Sequence, residues 1–128
     1  MSFLWVEATT VLAVHARLTS EFGGSAGVRD RALLESALSR PIAKHRYEDA
    51  GPAECAAAYA FGVAKNHPFH DGNKRAALAC AILFLRYDGF ALQATDREAS
   101  GAMRSVASGE MDEAALVAWF MERIRDVG

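Results

Sequence analysis

The segment AALACAILFLRYDGF, Ala76 to Phe90, limits what this chain can become. On a helical wheel its apolar residues fall on every side rather than in one stripe. A helix that is apolar all round must be covered all round, so this one is expected at the centre of the fold. It is shorter than the roughly 20 residues a bilayer requires, as is every other apolar run in the chain, and no membrane span is expected. Asp88-Gly89 ends it.

The covering elements read as helices too. Val11, His15, Leu18 and Phe22 fall at i, i+4, i+7 and i+11, one amphipathic face closed by Gly23-Gly24. His15 lies in that stripe, where a packed structural role is favoured over a ligand role. Asp30 is a good N-cap for a second helix carrying Leu33, Leu34, Ala37 and Leu38. That helix is expected to stop before Pro41, because the residue preceding a proline disfavours helical geometry. Residues 41 to 51 then read as a loop. Pro52 opens a third helix that Pro68 ends. Thr95 and Glu98 form a capping box for a fifth helix. Asp112 caps a last one, with Leu116, Phe120 and Ile124 four apart. No period-two alternation persists, and Phe90 to Leu92 is too short to count as a strand. The expectation is an all-α, single compact domain over residues 1–128, with about six helices around a central buried helix.

Composition excludes several classes of function. The net charge of −2, with few cationic clusters, gives no general attraction to nucleic acid or anionic membranes. The N-terminus MSFLWVEATT has neither a basic leader region nor a small-residue cleavage site. Cys55 and Cys80 sit in alanine-rich surroundings without metal-ligand spacing, and read as buried free thiols in a reducing, cytoplasmic setting.

The chemistry is concentrated in NHPFHDGNKRAAL, Asn66 to Leu78, at the mouth of the central helix. The first turn of a helix presents unpaired N–H groups and partial positive charge. Gly72 permits close approach of a ligand. Lys74 and Arg75 oppose the helix dipole, so helix stability does not explain them; a bound phosphate does. Asp71 can hold Mg²⁺, which usually binds through one or two carboxylates plus substrate phosphates. His67 can take a proton from an attacking hydroxyl, since histidine titrates near neutrality. Phe69 is expected to anchor the loop. Together these residues point to phosphoryl or nucleotidyl transfer, in which positioning and charge neutralisation do most of the work. A zinc or iron site at His67-x-x-His70-Asp71 is disfavoured, because Pro68 spoils a shared helical face. The spacing is not that of a P-loop. A merely capped helix with surface charges remains open on these grounds alone.

HPFHDGNKR, His67 to Arg75, resembles the signature loop of the Fic/Doc family, HxFx[DE][AG]N[GK]R, at all seven defined positions. GVRDRALLESALSRP, Gly27 to Pro41, resembles the stretch that precedes the loop in Doc-type members, so the resemblance covers nearly the whole chain. It implies His67 as general base toward a protein hydroxyl, Phe69 as loop anchor and Asp71 as Mg²⁺ ligand. It implies Gly72, Asn73 and Lys74 as the anion-binding helix start, and Arg75 as a phosphate contact. His70 occupies a position the family leaves free. Lys65 is a further candidate phosphate contact.

Two departures bear on the reaction. AMP-transferring members read GNGRxxR, whereas Lys74 replaces the second glycine here and Leu78 the last arginine. Both changes are shared with Doc-type toxins. That type implies an ATP-dependent kinase moving the γ-phosphate to a threonine of elongation factor Tu and inhibiting translation. Pro68 and Gly72, by contrast, resemble general Fic members. An AMP- or other NMP-transferase is therefore the alternative, with a catalytically weak binding module as a third reading. No glutamate has Ser or Thr four residues before it, so the self-inhibiting pattern [ST]xxxE[GN] is lacking. The resemblance then implies control by a separate Phd-like antitoxin, docking as an amphipathic helix.

Overall fold

The computed structural model describes residues 2–128. Met1, the first residue of the expected domain, lies outside them. Six helices run in the order α1 (Ala8–Phe22), α2 (Arg31–Glu48), α3 (Pro52–Asn66), α4 (Asn73–Tyr87), α5 (Asp96–Ser108) and α6 (Glu113–Met121). Two short strands, β1 (Phe90–Leu92) and β2 (Ile124–Asp126), complete it. The expected caps form: Asp30, Thr95 and Asp112 accept from the backbone N–H of Leu33, Glu98 and Ala115. None of the described helices is long and apolar enough to cross a membrane.

The most enclosed helix is α3 rather than α4. Nine of its residues are buried against seven in α4, and it packs on α2, α4, α5 and α6. Its alanine run lets neighbours approach closely from several sides, whereas the larger Leu78, Ile82 and Leu83 of α4 stay partly open. The two helices lie against each other along their length, and this pairing fixes where α4 begins. Cys55 and Cys80 are buried free thiols in that layer, and burial pushes both up to about 12.

Three local expectations are corrected. The helix containing Asp30 does not stop before Pro41: α2 continues to Glu48, so most of residues 41 to 51 is helical. Proline removes one intrahelical donor, a cost that tertiary packing outweighs here. Pro41 is itself fully buried, and its carbonyl accepts the Cys55 thiol of α3. Phe90 to Leu92 is a strand after all. It pairs antiparallel with β2, with Phe90 opposite Asp126 and Leu92 opposite Ile124. Ile124 therefore leaves the α6 stripe, and α6 ends at Met121. Finally, the α1 stripe fades toward its end: Val11 and His15 are buried, whereas Phe22 is 57% exposed.

The contact between α2 and α3 is close enough to test. A Cβ placed on Gly62 would meet the Ala37 Cβ at 3.2 Å and its Cα at 3.3 Å. Gly62→Val should therefore force the two helices apart and lower stability by about 1–3 kcal/mol, the usual cost of overpacking. Urea unfolding followed by circular dichroism checks this. An unchanged midpoint would show that the helices separate at no cost.

Candidate active site

Residues 67–72 join α3 to α4 and are stitched to the segment 24–30. The Pro68 carbonyl accepts the backbone N–H groups of Arg29 and Asp30, and His70 N–H donates to Gly27. Val28 and Phe69 form an isolated antiparallel bridge. The Arg29 guanidinium donates to the carbonyls of His67 (2.8 Å) and Asn66 (3.0 Å). A cation thus satisfies carbonyls at the end of α3. His67 caps that helix in a left-handed conformation at φ 50°, uncommon for a residue with a Cβ, and these external bonds help to hold it there.

Asn73 closes the loop from within. It is buried, and its Oδ1 accepts the Phe69 N–H at 3.0 Å while its Nδ2 donates to the Phe69 carbonyl at 3.0 Å. Those two bonds fix which end of the amide is which. The same Nδ2 lies 3.3 Å from His67 Nδ1, so Nδ1 is the accepting atom when this long bond forms. Nε2 of His67 has no protein partner among the described residues. Because the Asn73 side chain is occupied, the residue's backbone N–H is what it can offer to an anion at the helix start. The first intrahelical bond of α4 comes from Ala76 N–H to Gly72, which leaves the N–H groups of residues 73–75 without helical partners.

His15 completes the support. It is 2% exposed, stacks on Phe69 with centroids 3.7 Å apart and planes 8° from parallel, and donates from Nε2 to the Asp71 carbonyl at 2.7 Å. Phe69 is correspondingly 1% exposed, as a loop anchor should be. The Asp71 carboxylate turns toward the loop after α1, where Oδ2 accepts the Ser25 N–H at 3.2 Å. A Cβ on Gly24 would meet that oxygen at 3.1 Å, so Gly24 makes room for the carboxylate, while Gly23 caps α1.

A cavity of about 370 Å³ opens at the start of α4, within the range of small-ligand sites. Asp71, Gly72, Asn73, Lys74, Arg75 and Leu78 line one part of it, and Ser100, Met103 and Arg104 of α5 line the rest. The Arg75 guanidinium lies 4.8 Å over the exposed Phe22 ring. His67 is not part of the lining; Asn73, which is, touches it. Lys65 is elsewhere. Its ammonium sits 6.0 Å over the Phe61 ring and 3.9 Å from a Cβ position on Gly109, drawn to the carbonyl end of α5. No group of three His, Cys, Asp or Glu side chains suited to a metal occurs among the described residues. A zinc cage is thus unsupported, whereas the single Asp71 carboxylate beside unpaired helix N–H groups is a donor that Mg²⁺ could share with a phosphate. The α5 residues carry no motif and stand far from the loop in sequence, so only folding reveals them. His15 shows in the sequence only as a polar residue in an apolar stripe.

Comparisons with known proteins place the chain among relatives. A family model described as the Fic/DOC family matches residues 5–85. Over 102 residues the chain is 41% identical to a protein named Toxin Doc from Mycolicibacterium smegmatis, covering 76% of this chain and 78% of that one. It is 38% identical over 80 residues to one named Protein kinase doc from Escherichia phage P1, covering 62% of this chain and 64% of that one.

The loop's dependence on Asn73 is measurable. Asn73→Ala orphans the buried N–H and carbonyl of Phe69, each at a cost of about 1–3 kcal/mol. Chemical denaturation should show a loss of about 2–6 kcal/mol for the two groups together, and amide exchange should quicken first across residues 67–72. A variant as stable as the parent, with unchanged exchange there, would show that the clamp is dispensable.

Proposed function

This chain belongs to the Fic/Doc family, and we propose that it is the toxin of a toxin–antitoxin pair. In this reading it is a protein kinase that moves the γ-phosphate of ATP to a Ser or Thr hydroxyl of a translation factor, with elongation factor Tu as the target. What carries the reading is the cavity at the start of α4. Unpaired helix N–H groups, Lys74 and Arg75 meet there beside Asp71, and Asn73 links the cavity to His67. The names of the two relatives support both parts, toxin and kinase.

The chemistry follows from these positions. The substrate hydroxyl oxygen bonds to the γ-phosphorus, and the bond from that phosphorus to the β,γ-bridging oxygen breaks, so ADP leaves. The hydroxyl proton passes to His67 Nε2, the ring atom without a protein partner. That step draws on the tautomer with hydrogen on Nδ1, which gives up the 3.3 Å contact to Asn73. Backbone N–H groups of residues 73–75, Lys74 and Arg75 bind phosphate oxygens and spread their charge. Asp71 would hold Mg²⁺, which supplies charge neutralisation on the phosphates.

Lys74 sets which phosphate moves. Its side chain stands where a glycine would leave bare backbone for a diphosphate, and so favours a single phosphate at the helix start. Leu78, in the cavity wall, offers no charge to a second one. AMP transfer is the reading to distinguish. Control is assigned to a separate Phd-like antitoxin, since the sequence lacks the self-inhibiting pattern.

Incubation with elongation factor Tu, Mg²⁺ and labelled ATP tests the whole. Label on the γ-phosphate should reach the target, and label on the α-phosphate should not. Transfer of α-label would replace kinase by AMP-transferase. His67→Ala should lower the transfer rate by about 10²–10⁴-fold while the protein stays folded, and full activity in that variant would remove the base from His67. EDTA should suppress transfer; chelator-resistant activity would end the Mg²⁺ assignment.

A further inference from the structure

The part of the cavity wall that comes from α5 has no role in the reaction as described so far. We propose that Arg104 is a phosphate-binding residue of this site, gripping the portion of a nucleotide's polyphosphate tail that the start of α4 leaves uncovered. The proposal rests on the reading of the cavity as a nucleotide site.

Three observations support it. First, Arg104 reaches the cavity from another helix. Ser100, Met103 and Arg104 stand at i, i+3 and i+4 on α5, so they share one face, and all three line the cavity with Leu78. Leu78 is one turn beyond Lys74 on α4, and with the buried Met103 it forms an apolar patch. The cations Lys74 and Arg75 come from the first turn of α4, before that patch, and Arg104 comes from α5.

Second, Arg104 is free to bind. Arg29, Arg31, Arg40, Arg123 and Arg125 are each held by carbonyls, carboxylates or an amide. Arg104, like Arg17, Arg46, Arg86 and Arg97, is exposed and has no side-chain hydrogen-bond or ion-pair partner among the described residues, and of these five it is the one that lines the cavity. The acidic residues of α5 do not serve it: Asp96 and Glu98 stand at the far end of the helix, where Glu98 holds the Thr95 cap and faces Arg123.

Third, the charge count asks for a polyanion. The lining holds three cations, Lys74, Arg75 and Arg104, against one carboxylate, Asp71. This local surplus arises in a chain whose net charge is −2. One phosphate at the helix start engages the N–H groups and the nearby cations. A third cation on a separate element suits a second phosphate, and a guanidinium grips two phosphate oxygens at once.

Equilibrium binding to the intact chain in Mg²⁺ buffer tests this, with ATP and adenosine as probes. Arg104→Ala and Arg104→Gln should each weaken ATP by about tenfold or more, the scale of a lost charged hydrogen bond, and leave adenosine unchanged. The ATP affinity of both variants should also fall less steeply with salt. Arg104→Lys should fall between them and the parent, since it restores charge without the fork. Equal ATP affinity in the parent and both neutral variants would overturn the role of Arg104 alone. Equal weakening of ATP and adenosine would overturn it too, by showing a general disturbance of α5. If the parent itself fails to bind ATP, the nucleotide reading falls and this assignment with it.

Discussion

The carboxamide of Asn73 against the backbone of Phe69 is the constraint on which the site depends. A chain leaving one helix and entering the next within six residues cannot satisfy its backbone through helix or sheet ladders. One amide, accepting from Phe69 N–H and donating to Phe69 C=O, does for this turn what a neighbouring strand does elsewhere. Because the amide belongs to the first residue of α4, the loop is tied to the helix whose N-terminus it decorates. Phe69 is then pressed onto His15, and His15 in turn holds the Asp71 carbonyl. His67, Asp71 and the helix start are thereby tied into one network.

That unit carries local features that lower stability. His67 sits at positive φ. Lys74 and Arg75 occupy the end of α4 where cations are disfavoured. Stability comes instead from the layer of α2, α3 and α4, where small residues permit close approach and large aromatics seal the ends. Val6 N–H donates to Tyr59 Oη at 2.9 Å, and the N-terminal segment folds Phe3 and Trp5 onto Phe84. Local rules broken in one loop and kept elsewhere are the pattern expected of a functional site.

The sequence by itself determined the helical class, the capped starts at Asp30, Thr95 and Asp112, and the loop with its chemistry. These are legible because each rests on residues within a few positions of one another: a cap and its N–H, an apolar period, a motif. What only the tertiary structure decided lies between distant residues. Pro41 stays helical because α3 packs on it, and Ile124 becomes strand because Leu92 lies opposite. α3 takes the centre because alanines pack closer than leucines. His15 and Gly24 join the loop, Arg104 joins the cavity and Lys65 leaves it, across separations no local pattern encodes. Short-range hydrogen bonds and periodicity write themselves into sequence; packing between remote elements is settled only by which surfaces meet.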